Sequence, residues 1–176
     1  DYFADFVAIL EFAIIAVLFV RVAGGAVYSF RLDDVCGRGL YLKMDGFRAL
    51  YSGIAILMWM MTTIFSREYF GHYRNRNRYY LFLLLTFGAT VGVFLSADLF
   101  TTFVFFEIMS MASYVMVIHD EKPAAMRAGD TYLAVAVLGG MVMLMGLFLL
   151  YNAVGTLDMD LLLDACRAYE NKGTLY

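Results

Sequence analysis

Glu107 stands inside LFTTFVFFEIMSMASYVMVI, Leu99 to Ile118, a run of twenty residues with no other charge. As a helix it would span a hydrocarbon core of roughly 30 Å, with Glu107 about 12 Å from its start at 1.5 Å per residue, near mid-bilayer. A carboxylate held there costs about 2.5–3.5 kcal/mol on insertion scales. Positions three and seven further on share its helical face. They are Ser110 and Tyr114, both hydroxyl-bearing, with Phe103 one turn before. An acid beside a hydroxyl stripe can load and release protons, order water and pass a proton on. The same hydroxyls can instead merely satisfy the acid's hydrogen bonds. Ionisable groups inside a bilayer are functional by default, so Glu107, Ser110 and Tyr114 are read as a proton relay. A structural acid would be paired permanently with a cation of another helix.

Other charged residues carry less. Arg127 and Asp130, three apart, share a face at the entry of the last apolar run. They are further relay candidates, and by themselves they read as an interfacial ion pair. Glu11 lies in the first apolar run, Asp98 in a tight turn expected to be solvated, and His119 at a helix end expected to be solvated.

Five apolar runs must position these groups: Phe3–Val20, Ala49–Phe65, Tyr79–Leu95, Leu99–Ile118 and Thr131–Tyr151. Each approaches the ~20 residues of a spanning helix, and none shows the period-2 alternation of a barrel strand. The chain is 62% apolar and 16% charged, against about 25% charged in soluble domains, and its mean hydropathy is +0.72. The expected fold is all-α, a polytopic bundle of about five transmembrane helices, with residues 1–176 forming one transmembrane domain in the lipid bilayer. Asp1 opens the chain without a basic signal-peptide region, so it reads as a piece of a longer protein. Gly88 and Gly92, four apart, and Gly139, Gly140 and Gly146 read as helix-packing surfaces.

The loop Ser66–Arg78 holds four arginines against one glutamate, so the positive-inside bias places it in the cytoplasm. The loop Arg21–Arg48, the turn at Asp98 and the acidic tail after Gly155 then lie outside. A net charge of −3 without a basic patch excludes nucleic acid. Cys36 and Cys166 lack partners at metal spacing and read as two unpaired thiols. Neither a metal nor another cofactor is expected. No HExxH, paired aspartates or Ser/His dyad sits at membrane depth, so no catalytic site is expected in this chain.

Four stretches, in order, resemble one membrane family. They are Met44-Asp45-Gly46, Ser66-Arg-Glu-Tyr69 with Arg78-Tyr-Tyr-Leu-Phe-Leu-Leu-Leu, Ala97-Asp-Leu-Phe-Thr-Thr-Phe-Val-Phe-Phe-Glu107, and Leu150-Tyr-Asn-Ala-Val-Gly-Thr-Leu157. The sequence is similar to the antiporter-like membrane subunits shared by respiratory complex I (NADH:quinone oxidoreductase), Mrp-type multisubunit sodium/proton antiporters and energy-converting membrane hydrogenases. The likeness runs from Met44 to about Leu162 and covers the N-terminal half of one such protein. It implies that Glu107 is the family's helix-borne glutamate, which pairs with a lysine of a later helix and modulates its proton affinity. It implies other membrane subunits for partners, protons and Na+ as candidate cargo, and a bacterial or archaeal cell membrane as location. One departure stands out. Many members begin the helix matching the fifth run with a "KY" pair, and alignment on Tyr132-Leu133 puts Thr131 at the lysine position. In a second alignment Arg127 and Asp130 match a charged pair that some members carry. Two functions follow: ion translocation by an electrostatic relay, or structural anchoring of an oxidoreductase complex.

Overall fold

The computed structural model describes residues 2–33, 39–69 and 76–169. The order of elements is α1 (Tyr2–Ala23), β1 (Tyr28–Leu32), β2 (Leu40–Met44), α2 (Gly46–Tyr69), α3 (Arg76–Leu95), α4 (Leu99–Val117), α5 (Pro123–Val154) and α6 (Met159–Ala168). The five helices α1 to α5 are each long and apolar enough to cross a membrane. A helix closes its own backbone hydrogen bonds, which lipid cannot supply. The chain is therefore a multi-pass membrane protein built as a helix bundle.

Neighbours in sequence are neighbours in space: α1 packs on α2, α2 on α3, α3 on α4 and α4 on α5. The main core joins Ile15 and Val22 of α1, Ala49 and Ile56 of α2, Phe87 of α3 and Met44 of β2. Trp59 stacks on Phe87 with ring centroids 5.5 Å apart. Most of the remaining apolar side chains point outward, α5 most of all, as expected where the solvent is lipid rather than water.

Three features differ from the sequence reading. The stretch expected as a plain loop between Arg21 and Arg48 forms an antiparallel hairpin, with Tyr28 opposite Met44 and Leu32 opposite Leu40. The fifth helix starts at Pro123, eight residues before Thr131, and runs for 32 residues. Proline at the first helical turn costs no hydrogen bond, and the charged first turns need not be in lipid to be helical. The stretch after Gly155 contains α6, whose N-cap Asp158 accepts from the Asp160 N–H. Gly155 itself ends α5 with φ 81°, the left-handed conformation that glycine adopts without a Cβ penalty. Cys36 and Arg74 fall outside the described residues, and Cys166 on α6 is a free thiol.

The hairpin end of the bundle is tied together by backbone bonds. The Ala97 N–H donates to the Tyr41 carbonyl at 2.9 Å, the Met159 N–H to the Ala97 carbonyl at 3.1 Å, and the Leu99 N–H to the Leu157 carbonyl at 3.0 Å. Tyr41 N–H donates to Thr101 Oγ1 at 2.9 Å. Asp98, expected as a solvated turn residue, is part-buried and has a structural role. It caps α4, accepting from Thr101 N–H at 2.7 Å and Thr101 Oγ1 at 2.6 Å, and so satisfies donors that the first turn leaves open. Arg48 pairs with Asp45 and donates from Nε to the Ser96 carbonyl at 3.1 Å.

Candidate functional site

α4 is held between α3 and α5, and small residues on both neighbours admit its side chains. A methyl group at Gly92 of α3 would stand 2.3 Å from Phe105 Cδ1. A methyl group at Gly140 of α5 would stand 2.5 Å from Glu107 Oε1, 2.7 Å from Cδ and 2.8 Å from Oε2. The Glu107 carboxylate thus lies flat against α5 backbone, half-buried, where any side chain would displace it. Gly129, eleven residues earlier on α5, is a second notch: a methyl there would stand 2.2 Å from Ile118 Cγ2 and 3.1 Å from Tyr114 Cε2. Eleven residues are about three turns, so the two notches share one face of α5.

The face of α4 that meets these notches is the one carrying Glu107, Ser110 and Tyr114. The structure brings those three residues together at the α4/α5 interface. Ser110 takes part through its backbone: the Tyr132 hydroxyl of α5 donates to the Ser110 carbonyl at 3.2 Å. Tyr114 takes part through its ring, packed on Gly129. Arg127 and Asp130 are not gathered with them. Both are exposed at the start of α5, ten or more residues before Gly140, which is at least about 15 Å along the axis. No ion pair joins the two among the described residues, and the Arg127 carbonyl instead accepts from Thr131 Oγ1 at 3.1 Å.

Glu11 is a second acid within a membrane-spanning helix. It sits three residues after Ala8 and four before Ile15, both buried, and so faces the packed side of α1. Its Oε2 is closed off from solvent with no hydrogen-bond partner among the described residues. His119 is not simply solvated; its ring lies 5.3 Å from that of Tyr79. Sequence reasoning misses Gly140 and Tyr132 as members of the site. The glycine pair at 139 and 140 is visible as a packing signal, but which of the two faces α4 depends on the rotation of α5, and Gly139 meets nothing within 4 Å. Among the described residues no group of His, Cys, Asp and Glu could hold a metal ion.

Residues 96–175, which include α4 and α5, match the family model described as NADH:quinone oxidoreductase/Mrp antiporter, TM. A probable K(+)/H(+) antiporter subunit from Rhizobium meliloti (strain 1021) is 31% identical to the chain over 181 residues, a match that covers 99% of this chain and 18% of that protein. The fold is similar to a chain of the membrane-bound sulfane sulfur reductase (MBS), an archaeal respiratory membrane complex, with TM-score 0.74 and 23% identity over 91% of this chain and 33% of the other. It is similar also to a chain of the Mrp complex from Dietzia sp. DQ12-45-1b, with TM-score 0.72 and 22% identity over 89% of this chain and 30% of the other. The chain thus spans between about a fifth and a third of the length of these proteins. The matched segment contains the Glu107 helix and its glycine-notched neighbour, and the chain belongs to the antiporter-like membrane subunit family that NADH:quinone oxidoreductases and Mrp antiporters share.

Proposed function

We propose that the chain is part of a membrane subunit of a multisubunit cation/proton antiporter or a related ion pump, and that Glu107 carries a proton in its working cycle. The observation that carries this reading is the seat of Glu107. Its carboxylate lies at mid-helix between two spanning helices, on backbone at Gly140, with no basic residue in α4. Gaining or losing a proton there changes the local charge by one unit, and in a poorly screened medium such a change acts strongly on charges several Å away. A later charged helix of the same complex would feel it. The partners are other membrane subunits, and the cargo is protons exchanged for a monovalent cation. Support for this assignment comes from the likeness to the Rhizobium meliloti K(+)/H(+) antiporter protein and to a chain of an Mrp complex. The cell membrane of a prokaryote is the matching location.

Glu107→Gln keeps the size of the side chain and removes the titration. The neutral amide is less costly to hold in lipid than a carboxylate, so the parent complex should assemble at normal levels on blue-native gels. Proton flux in membrane vesicles should fall to the level of vesicles that lack the complex. A structural acid paired to a cation predicts the reverse, because the amide leaves that cation uncompensated and assembly fails. Normal flux from a fully assembled glutamine variant would exclude the relay and leave the anchor role.

A further inference from the structure

We infer that Gly140 is the positioning residue of the Glu107 site: by lacking a side chain, it fixes where the carboxylate sits. This rests on the proton role proposed for Glu107. The geometry is specific. All three carboxylate heavy atoms lie within 2.8 Å of where a Cβ on Gly140 would be, closer than real Cβ contacts allow. The group met is the ionisable end of the side chain, not its methylene stem. Elsewhere on α5, Gly139 and Gly146 meet nothing within 4 Å, so their lack of a side chain has no steric partner. Gly129 meets Tyr114 and Ile118, an aromatic and an aliphatic group with no charge to place. Of the four glycines, Gly140 alone touches an ionisable atom. Adding one methyl group there must move the carboxylate or α5. The carboxylate is the end of a flexible side chain and the helix is a rigid rod of 32 residues, so the carboxylate moves.

The consequence is a coupling between one carbon on α5 and one on α4. Gly140→Ala should cut proton flux through the assembled complex by at least about tenfold, since a misplacement of about 1 Å at a reacting group costs up to a hundredfold. Gly146→Ala makes the same chemical change in the same helix without the contact. Its flux should stay within about twofold of the parent, as expected of a substitution that meets no neighbour. Glu107→Asp withdraws the carboxylate by one methylene and clears the added methyl. In that background Gly140→Ala should lower flux by less than about twofold, the non-additivity expected of groups in direct contact. A second readout is independent of flux. Labelling of Glu107 by a membrane-soluble carbodiimide, followed by peptide mass spectrometry, should speed up in Gly140→Ala, whose carboxylate is pushed out of the interface, and stay unchanged in Gly146→Ala.

The inference is overturned if Gly140→Ala and Gly146→Ala behave alike in labelling and flux, or if Gly140→Ala acts by the same factor with Glu107 and with Asp at that position. Where Gly140→Ala fails to assemble, restored assembly in the Glu107→Asp background supports the contact, and persistent failure overturns it in favour of a packing role. The two proposals fail separately. Normal flux in Glu107→Gln removes the proton role, whereas loss of flux there with an inert Gly140→Ala removes only the positioning.

Discussion

The two flanks of α4 use one device for two different guests. Toward α3, Gly92 receives the ring of Phe105; toward α5, Gly140 receives the carboxylate of Glu107. The guests stand two residues apart at nearly the same depth. A phenyl ring in a glycine notch gains dispersion contacts with the backbone it meets, as close packing favours. A carboxylate in such a notch gains little and remains costly in lipid. The α3 flank is thus explained by packing, and the α5 flank is not. That asymmetry is the strongest structural reason to look for chemistry at Glu107 rather than along the rest of the bundle.

The comparison can be broken most directly at Gly92. Gly92→Ala overpacks the notch, and overpacking costs about 1–3 kcal/mol. The yield and thermal stability of the assembled complex should fall, while flux per assembled complex stays near normal. If flux per complex falls as it does for Gly140→Ala, the two flanks are functionally equivalent and the contrast is lost. A smaller effect is expected at Asp98, which caps α4 and so sets the position of both guests together. Asp98→Ala removes a capping side chain worth about 1 kcal/mol, and stability and flux should decline in parallel, whereas Asp98→Asn should retain most of both. Thermal unfolding in detergent, beside vesicle flux, checks each of these.

The smallest effect concerns the hairpin end, where pH should act on stability without acting on the notches. Burial would push the Asp45 carboxyl up. The Arg48 backbone N–H and the Arg48 guanidinium outweigh it and hold the carboxyl below its usual range. A carboxyl depressed in the folded state stabilises it at pH values above its unfolded pKa, and that contribution is lost as pH falls through the folded value. The thermal midpoint should therefore hold level from neutrality down to the ordinary aspartate range, roughly pH 4, and drop only in stronger acid. Asp45→Asn should flatten that drop. An unchanged acid profile in the asparagine variant would assign the acid sensitivity to other carboxylates.

Much of this architecture is legible in the chain because lipid imposes a coarse rule. A run of about twenty apolar residues has few other options, so the five helices long enough to span and the mid-helix place of Glu107 follow from run length. The elements outside the membrane obey weaker rules. The strand Tyr28–Leu32 is exposed throughout, so it carries no buried alternation to betray it. α6 is ten residues long, too short to read as a span. Apolarity sets the start of α5 too late, because it marks where lipid begins, whereas the helix begins at Pro123. At the site, helical spacing groups Glu107, Ser110 and Tyr114 on one face, as the structure does, because period 3.6 is a local property. Spacing cannot say what that face meets. Gly88 and Gly92 look alike in sequence, yet only Gly92 is filled by a neighbour. Likewise, spacing alone suggests that Arg127 and Asp130 pair, and at an exposed helix end two such side chains have little to gain by it.

α4 and α5 are joined at one end by the short turn from Ile118 to Lys122 and at the other by the bond from Leu99 N–H to the Leu157 carbonyl. The pair is thus tied near both ends, and between the ties the tandem glycines matter. Successive residues of a helix point about 100° apart, so Gly139 and Gly140 together give α5 a bare sector of roughly that width at the depth of Glu107. Within that sector α5 presents no Cβ to the carboxylate, so the acid is seated on a strip of bare backbone rather than at a single point.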